Sequence, residues 1–160
     1  MKRLFSIFFL STILTLSGCA VFGPDVTPGA PEEAVIARYG KPTARYRDGG
    51  QTLLEYANFL GQQTHMIRLD ADGRVLSREQ VLTVERFDAI RIGNDDMQSV
   101  LLQIGQPAEK SCLPLKHYTV WSYRYKENGI WNSMMHIKFD AGGIVRDKEN
   151  GLDPLFLPRN

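Results

Sequence analysis

Hydrophobic and polar positions along this chain follow two periods that succeed one another in blocks. Met97, Val100, Leu101 and Ile104 recur at helical spacing, which predicts a short amphipathic helix. Asn94 or Asp95 is placed to cap its start, with Asp95 and Gln98 at capping-box spacing. Gly105 stands where a left-handed C′ residue belongs, and Pro107 bars continuation. From His117 to Lys126 the period changes to two, with Trp121, Tyr123 and Tyr125 on one face. Ile130 to Phe139 alternates likewise, with Trp131, Met135, Ile137 and Phe139 together. A three-residue loop, Glu127-Asn128-Gly129, keeps these apolar sets on one side. It pairs Trp121 with Met135 and Tyr125 with Trp131, whereas a two-residue turn mixes them with polar positions. A turn from Asp140 to Gly143 leads into a third strand through Val145.

The same blocks occur earlier in the chain. Val35–Pro42 reappears as Val100–Pro107, and Ile67–Val75 reappears as Ile137–Val145, in the same order and with a small change in spacing. That is the mark of tandem copies of one unit. In the first copy Pro31 opens a helix that buries Val35, Ile36 and Tyr39 and stops at Gly40 and Pro42. Its strands carry Leu54 and Tyr56, then Ile67 and Leu69, then Val75 onward after a turn at Asp72-Gly73. Residues Gln80 to Ile92 connect the copies, with Phe87 and Ile90 facing inward. The helices are too short to stand alone and must pack on the sheets. The expected fold is therefore α+β: two tandem repeats, each of short helices packed on a three-stranded antiparallel sheet. The first repeat covers residues 29–85, the second 86–148, and a tail 149–160 carries Leu155-Phe156-Leu157 between prolines.

The N-terminus has a different character. Lys2 and Arg3 precede an apolar run from Leu4 to Leu16, followed by Ser17, Gly18 and Cys19. This is the layout of an export signal, and the run is short of the ~20 residues that span a bilayer. The sequence Leu16-Ser17-Gly18-Cys19 resembles the lipobox of bacterial lipoproteins. The resemblance implies a signal peptide over residues 1–18, cleavage between Gly18 and Cys19, acylation of Cys19, and a linker over residues 19–28. Ala20 after the cysteine, rather than Asp, implies sorting to the outer membrane, on its periplasmic face. Loss of Lys2 and Arg3 from 19 basic residues against 18 acidic ones brings the net charge to about −1. No basic stripe points to nucleic acid. Membrane attachment then rests on the lipid anchor, with more than one acyl chain needed for a stable hold. Cys112 has no partner in the chain once Cys19 is acylated.

Little else in the sequence carries chemistry. Asp70-Ala71-Asp72-Gly73 resembles a calcium loop briefly, but a hairpin turn explains it better. His65, His117 and His136 are scattered, with no ligand spacing, and no metal site or cofactor is expected. Glu32-Glu33 and Asp95-Asp96 sit in first helical turns, where negative charge offsets the helix dipole. No catalytic motif occurs, so the chain is not expected to be an enzyme. Core packing is the default for Trp121 and Tyr123. Tyr125 and Trp131, near a hairpin tip, are the candidate partner contacts.

The run Phe87–Gly93, the helix Met97–Ile104, Gly105 with Pro107, Trp121 with Tyr123, and Phe139-Asp140 with Gly143 and Val145 together resemble the SmpA/OmlA, or BamE-type, lipoprotein domain. The first copy matches through Gly29, Val35, Tyr39-Gly40 with Pro42, Leu54 with Tyr56, and Asp70 with Gly73 and Val75. The resemblance implies a non-enzymatic accessory of outer-membrane or envelope assembly, with barrel-assembly machinery as a partner. The doubled architecture is also similar to β-lactamase-inhibitor-type proteins. That likeness implies a binding module that grips a periplasmic enzyme with a concave sheet.

Overall fold

The computed structural model describes residues 26–157. The expected signal peptide over residues 1–18, with its cleavage site, and Cys19 lie outside the described residues. The first repeat opens with helix α1 (Glu32–Tyr39) and continues through strands β1 (Ala44–Asp48), β2 (Gln51–Ala57), β3 (Thr64–Leu69) and β4 (Val75–Gln80). Two helices follow, α2 (Val84–Ala89) and α3 (Met97–Ile104), then β5 (Glu109–Leu113), β6 (Tyr118–Glu127), β7 (Trp131–Phe139) and β8 (Val145–Leu152). Each set of strands forms its own antiparallel meander, β1-β2-β3-β4 and β5-β6-β7-β8.

The sheets are thus four-stranded, not three-stranded. The added strands, β1 and β5, are edges. All five residues of β5 are exposed, so no apolar alternation marks it. The last strand runs through Leu152, past the boundary expected at residue 148.

The tandem repeat is physically exact in several bonds. Glu32 N–H donates to the Gly73 carbonyl at 3.0 Å, and Met97 N–H donates to Gly143 at 3.0 Å. The Tyr56 hydroxyl donates to the Gly40 carbonyl at 3.1 Å, as Tyr123 does to Gly105 at 3.1 Å. Both third strands bulge at the same place, Arg68/Leu69 and Lys138/Phe139. The helix-ending glycines share one backbone: φ 78°, ψ −163° at Gly40 and φ 79°, ψ −162° at Gly105. This lies beyond the left-handed helical region expected there, because the chain turns straight into an extended strand. Only glycine adopts it readily.

Three local expectations are corrected. The α3 cap is Asp96, whose side chain accepts from Ser99 N–H at 2.7 Å while Ser99 Oγ accepts from Asp96 N–H at 2.9 Å. Asp95 instead turns inward and is buried. Ile36 is exposed, and Val35 alone of α1 is fully buried, since an eight-residue helix offers one narrow stripe to its sheet. The β6–β7 register pairs Trp121 with Ile137, Tyr123 with Met135 and Glu127 with Trp131. It is slipped by two residues from the expected register. The period-two pattern fixes which face a residue occupies, and a slip of two residues leaves the faces unchanged. Asn128 and Gly129, at φ 51° and 73°, form the turn, and Ile130 is the extra residue.

The layers stack as α1, first sheet, α2 with α3, second sheet. Val35, Leu54, Ile67, Leu69 and Val75 form the core between α1 and one face of the first sheet. Leu53, Met66 and Val81 on its other face pack with Leu102 of α3. The opposite side of α3, through Val100 and Ile104, joins Phe87, Trp121, Tyr123, Ile137 and Phe139 in the largest core. So α3 is buried between the two sheets, and the first sheet is covered on both faces.

Candidate functional site

Three chain segments meet at one pole of the molecule. The β2–β3 loop is closed on itself: Asn58 N–H donates to the Gln63 carbonyl at 2.9 Å, and Gly61 N–H to the Asn58 carbonyl at 3.0 Å. This turn holds Gln62 inward, where it is buried and its amide donates to Asn132 Oδ1 at 2.8 Å. Phe59 and Leu60 are left facing solvent, Phe59 completely. The β6–β7 tip adds Ile130 and Trp131, the latter 64% exposed. The C-terminal segment closes the group. Asp153 N–H donates to the Asn132 carbonyl at 3.0 Å, and the Asp153 carboxylate receives Leu155 N–H at 3.0 Å and lies 3.3 Å from Arg124 Nε.

Asn132 is therefore the hub. It ties the first repeat's loop and the C-terminal segment to the second repeat's hairpin. Around it Phe59, Leu60, Ile130, Trp131, Leu152 and Leu155 are exposed. Exposed apolar residues gathered in one region, rather than scattered singly, mark interaction sites on soluble domains. Lys126 borders this pole, with Nζ 6.0 Å from the Phe156 ring centroid.

Of the two expected contact residues, only Trp131 faces solvent. Tyr125 is 1% exposed, with the Phe87 ring meeting it edge-on at 4.8 Å. Helix α2, placed by its Thr83 cap, carries Phe87 across that end of the sheet. Phe59 and Leu60 are not among the contacts expected from the sequence. An apolar pair inside Asn-Phe-Leu-Gly, a turn-forming run, was the available signal.

The opposite pole receives the chain from its N-terminal side. Gly29 N–H donates to the Val75 carbonyl at 2.7 Å, beside the β3–β4 turn, at the far end of β3 from the 58–63 loop. Any tether preceding residue 26 therefore joins the domain away from the apolar pole.

Other candidates resolve into structure. Asp70 Oδ1 accepts from Asp72 and Arg74 N–H at 3.0 and 2.8 Å, and Asp140 does the same for Gly142 and Ile144. These aspartates close turns. His136 Nδ1 lies 2.8 Å from Ser122 Oγ, on the face of the second sheet turned away from α3. On that face Lys138 pairs with Asp147 and Glu149 at 2.8 and 2.7 Å. Burial and the Arg78 charge push the His65 pKa down. Among the described residues no cluster of His, Cys, Asp and Glu is disposed to hold a metal. Cys112 is exposed on β5. A cleft of about 110 Å³ between the repeats is lined by Met66, Arg68, Glu79, Arg86 and Leu102. Its guanidinium groups are already paired, Arg68 with Asp48 at 3.7 Å and Arg86 with Glu79. Among the described residues no helix is long and apolar enough to cross a membrane.

No family model matches the chain, so the resemblance to SmpA/OmlA proteins stays at the level of the quoted motifs. No curated protein matches it. Two solved structures align with most of the chain at low identity. One is a DUF4309 family protein, YjgB, from Bacillus subtilis, with 17% identity over 79% of this chain and 81% of that one, at a TM-score of 0.30. The other is a candidate β-lactamase inhibitor protein from Streptococcus mutans, with 16% identity over 80% and 86%, at a TM-score of 0.31.

Proposed function

We propose that this protein is an exported, lipid-tethered module that binds another envelope protein through its apolar pole. The observation that carries this reading is the hub at Asn132, which joins both repeats and the C-terminal segment beneath a group of solvent-facing aromatic and aliphatic side chains. A surface that depends on both repeats and is fixed by hydrogen bonds of the buried Gln62 and Asp153 is built, not incidental. Its place at the far end from the N-terminal side leaves it open to a partner while Cys19 holds the lipid. Within this reading the protein acts as a scaffold or accessory of outer-membrane assembly, on the periplasmic face.

An inhibitor-type module is the second reading. It would use the face of the second sheet turned away from α3, the one bearing His136, Lys138 and Glu149, because the first sheet lies under α1 and α3. The two sheets do not join into a common concave surface.

Site-specific photo-crosslinking in intact envelopes separates these readings. A probe at Phe59 or Ile130 is expected to give one discrete adduct, and a probe at Arg47 none. An adduct from His136 alone would move the binding surface to the part of the second sheet around His136, Lys138 and Glu149. Silence at all these positions would overturn the binding role. Cys19→Ser is expected to abolish labelling by radioactive palmitate and release the protein from membranes. Retention of label would refute the anchor.

A further inference from the structure

Glu55 lies in the middle of β2, on the face turned toward the second repeat, and is fully buried. The equivalent position in the second repeat is Ser122: Thr43 N–H donates to the Glu55 carbonyl just as Ala108 N–H donates to Ser122. The acid is therefore a requirement of the junction and not of the repeated unit. Its carboxyl group meets donors from both repeats. The Tyr46 hydroxyl donates to Oε2 at 2.6 Å, and Gln106 N–H reaches Oε1 and Oε2 at 3.2 and 3.1 Å. Gly105 presses against it so closely that a Cβ there would lie 2.8 Å from the carboxyl carbon.

The groups around it carry no positive charge. Tyr46 comes from β1, Met66 stands opposite on β3, Gly105 and Gln106 follow α3, and Tyr123 of β6 bonds the Gly105 carbonyl. Among the described residues no Lys, Arg or His forms an ion pair with Glu55. An ionised carboxylate there is a buried charge without a counter-ion, whereas the neutral acid accepts from Gln106 N–H at one oxygen and gives its own proton to the Tyr46 oxygen across the same 2.6 Å contact.

We infer that Glu55 is a proton-operated latch between the two repeats: the neutral carboxyl closes the junction, and its ionisation weakens it. Burial raises the Glu55 pKa, outweighing the lowering effect of the Tyr46 and Gln106 hydrogen bonds. A group whose pKa is raised by folding contributes stability that is fully present below its unfolded value. That stability is lost as pH rises through the folded value. The junction accordingly tightens on mild acidification. This holds whatever the apolar pole binds.

The test compares the full chain with Glu55→Gln, which keeps the shape and, like the neutral acid, accepts from Gln106 N–H and donates to the Tyr46 oxygen, but cannot ionise. Between about pH 4 and about pH 8 the wild-type melting midpoint is expected to fall by several degrees relative to the variant. The variant should be the more stable protein at neutral pH. Carboxyl carbon NMR of the wild type should show Glu55 titrating above the ordinary glutamate range. Parallel pH profiles for the two proteins would overturn the latch. So would titration at or below the ordinary value, and that measurement decides the matter alone if the variant fails to fold.

Discussion

Gly40 and Gly105 share a backbone conformation and differ in what stands over them. At Gly40 nothing lies within 4 Å of an added Cβ; at Gly105 the Glu55 carboxyl does. Alanine at Gly40 carries only the cost of a glycine-only conformation, about 1–3 kcal/mol. At Gly105 the same cost is joined by overpacking against a carboxyl that is held from two sides, roughly 1–3 kcal/mol more. Urea denaturation of Gly40→Ala and Gly105→Ala should therefore give unequal losses, with Gly105→Ala the less stable. Equal losses would mean that the junction yields freely. Both glycines were legible as helix stops from their place before Pro42 and Pro107. The contact with Glu55 was not, because it joins positions far apart in the chain and no local period encodes it.

Helices and strands in this protein were legible where one face meets a core. β6 and β7 alternate over many residues, so their inward faces follow from the sequence, although the register does not. β1 and β5 have little to alternate, being edges, and α2 is only six residues long. What holds α2 is remote. Lys148 of β8 donates to the Phe87 and Ile90 carbonyls at 2.7 and 2.8 Å, capping the end of the helix with a positive charge. Lys148→Met should cost about 1–3 kcal/mol, the range for losing hydrogen bonds from a charged donor. Amide exchange should accelerate in α2 before it does in α3. The mounting of α3 has its own signature in acid. Burial pushes the Asp95 pKa up, but the Arg91 N–H, the Gln103 amide and the Arg91 guanidinium pull it further down, to below the usual aspartate range. Its contribution is thus present above the unfolded value and lost as pH falls through the folded one. Asp95→Asn should destabilise the protein at neutral pH and lose that effect in acid. A deficit that persists unchanged in acid would refute the assignment.

At the scale of the whole molecule, the stacking of α3 between two sheets makes the repeats one body, with its poles differently equipped. One pole receives the chain from the N-terminal side; the other gathers apolar side chains from three segments. Those side chains contribute little to folding, because they are exposed in the folded state and their removal buries nothing less. Surface substitutions of this kind usually change stability by under about 0.5 kcal/mol. Binding behaves oppositely, since aromatic anchors at an interface carry a large share of its energy, about 2 kcal/mol or more each. Phe59→Ser with Trp131→Ser should therefore leave the melting midpoint almost unchanged and lower partner affinity at least tenfold, read by titration against the protein captured at Ile130. Trp131 also reports directly. Wild-type tryptophan fluorescence should contain an iodide-quenchable component from Trp131 and a protected one from buried Trp121. Addition of the partner should shield the first. Quenching that persists at saturation, with affinity untouched by the double substitution, would place the interface elsewhere on the molecule.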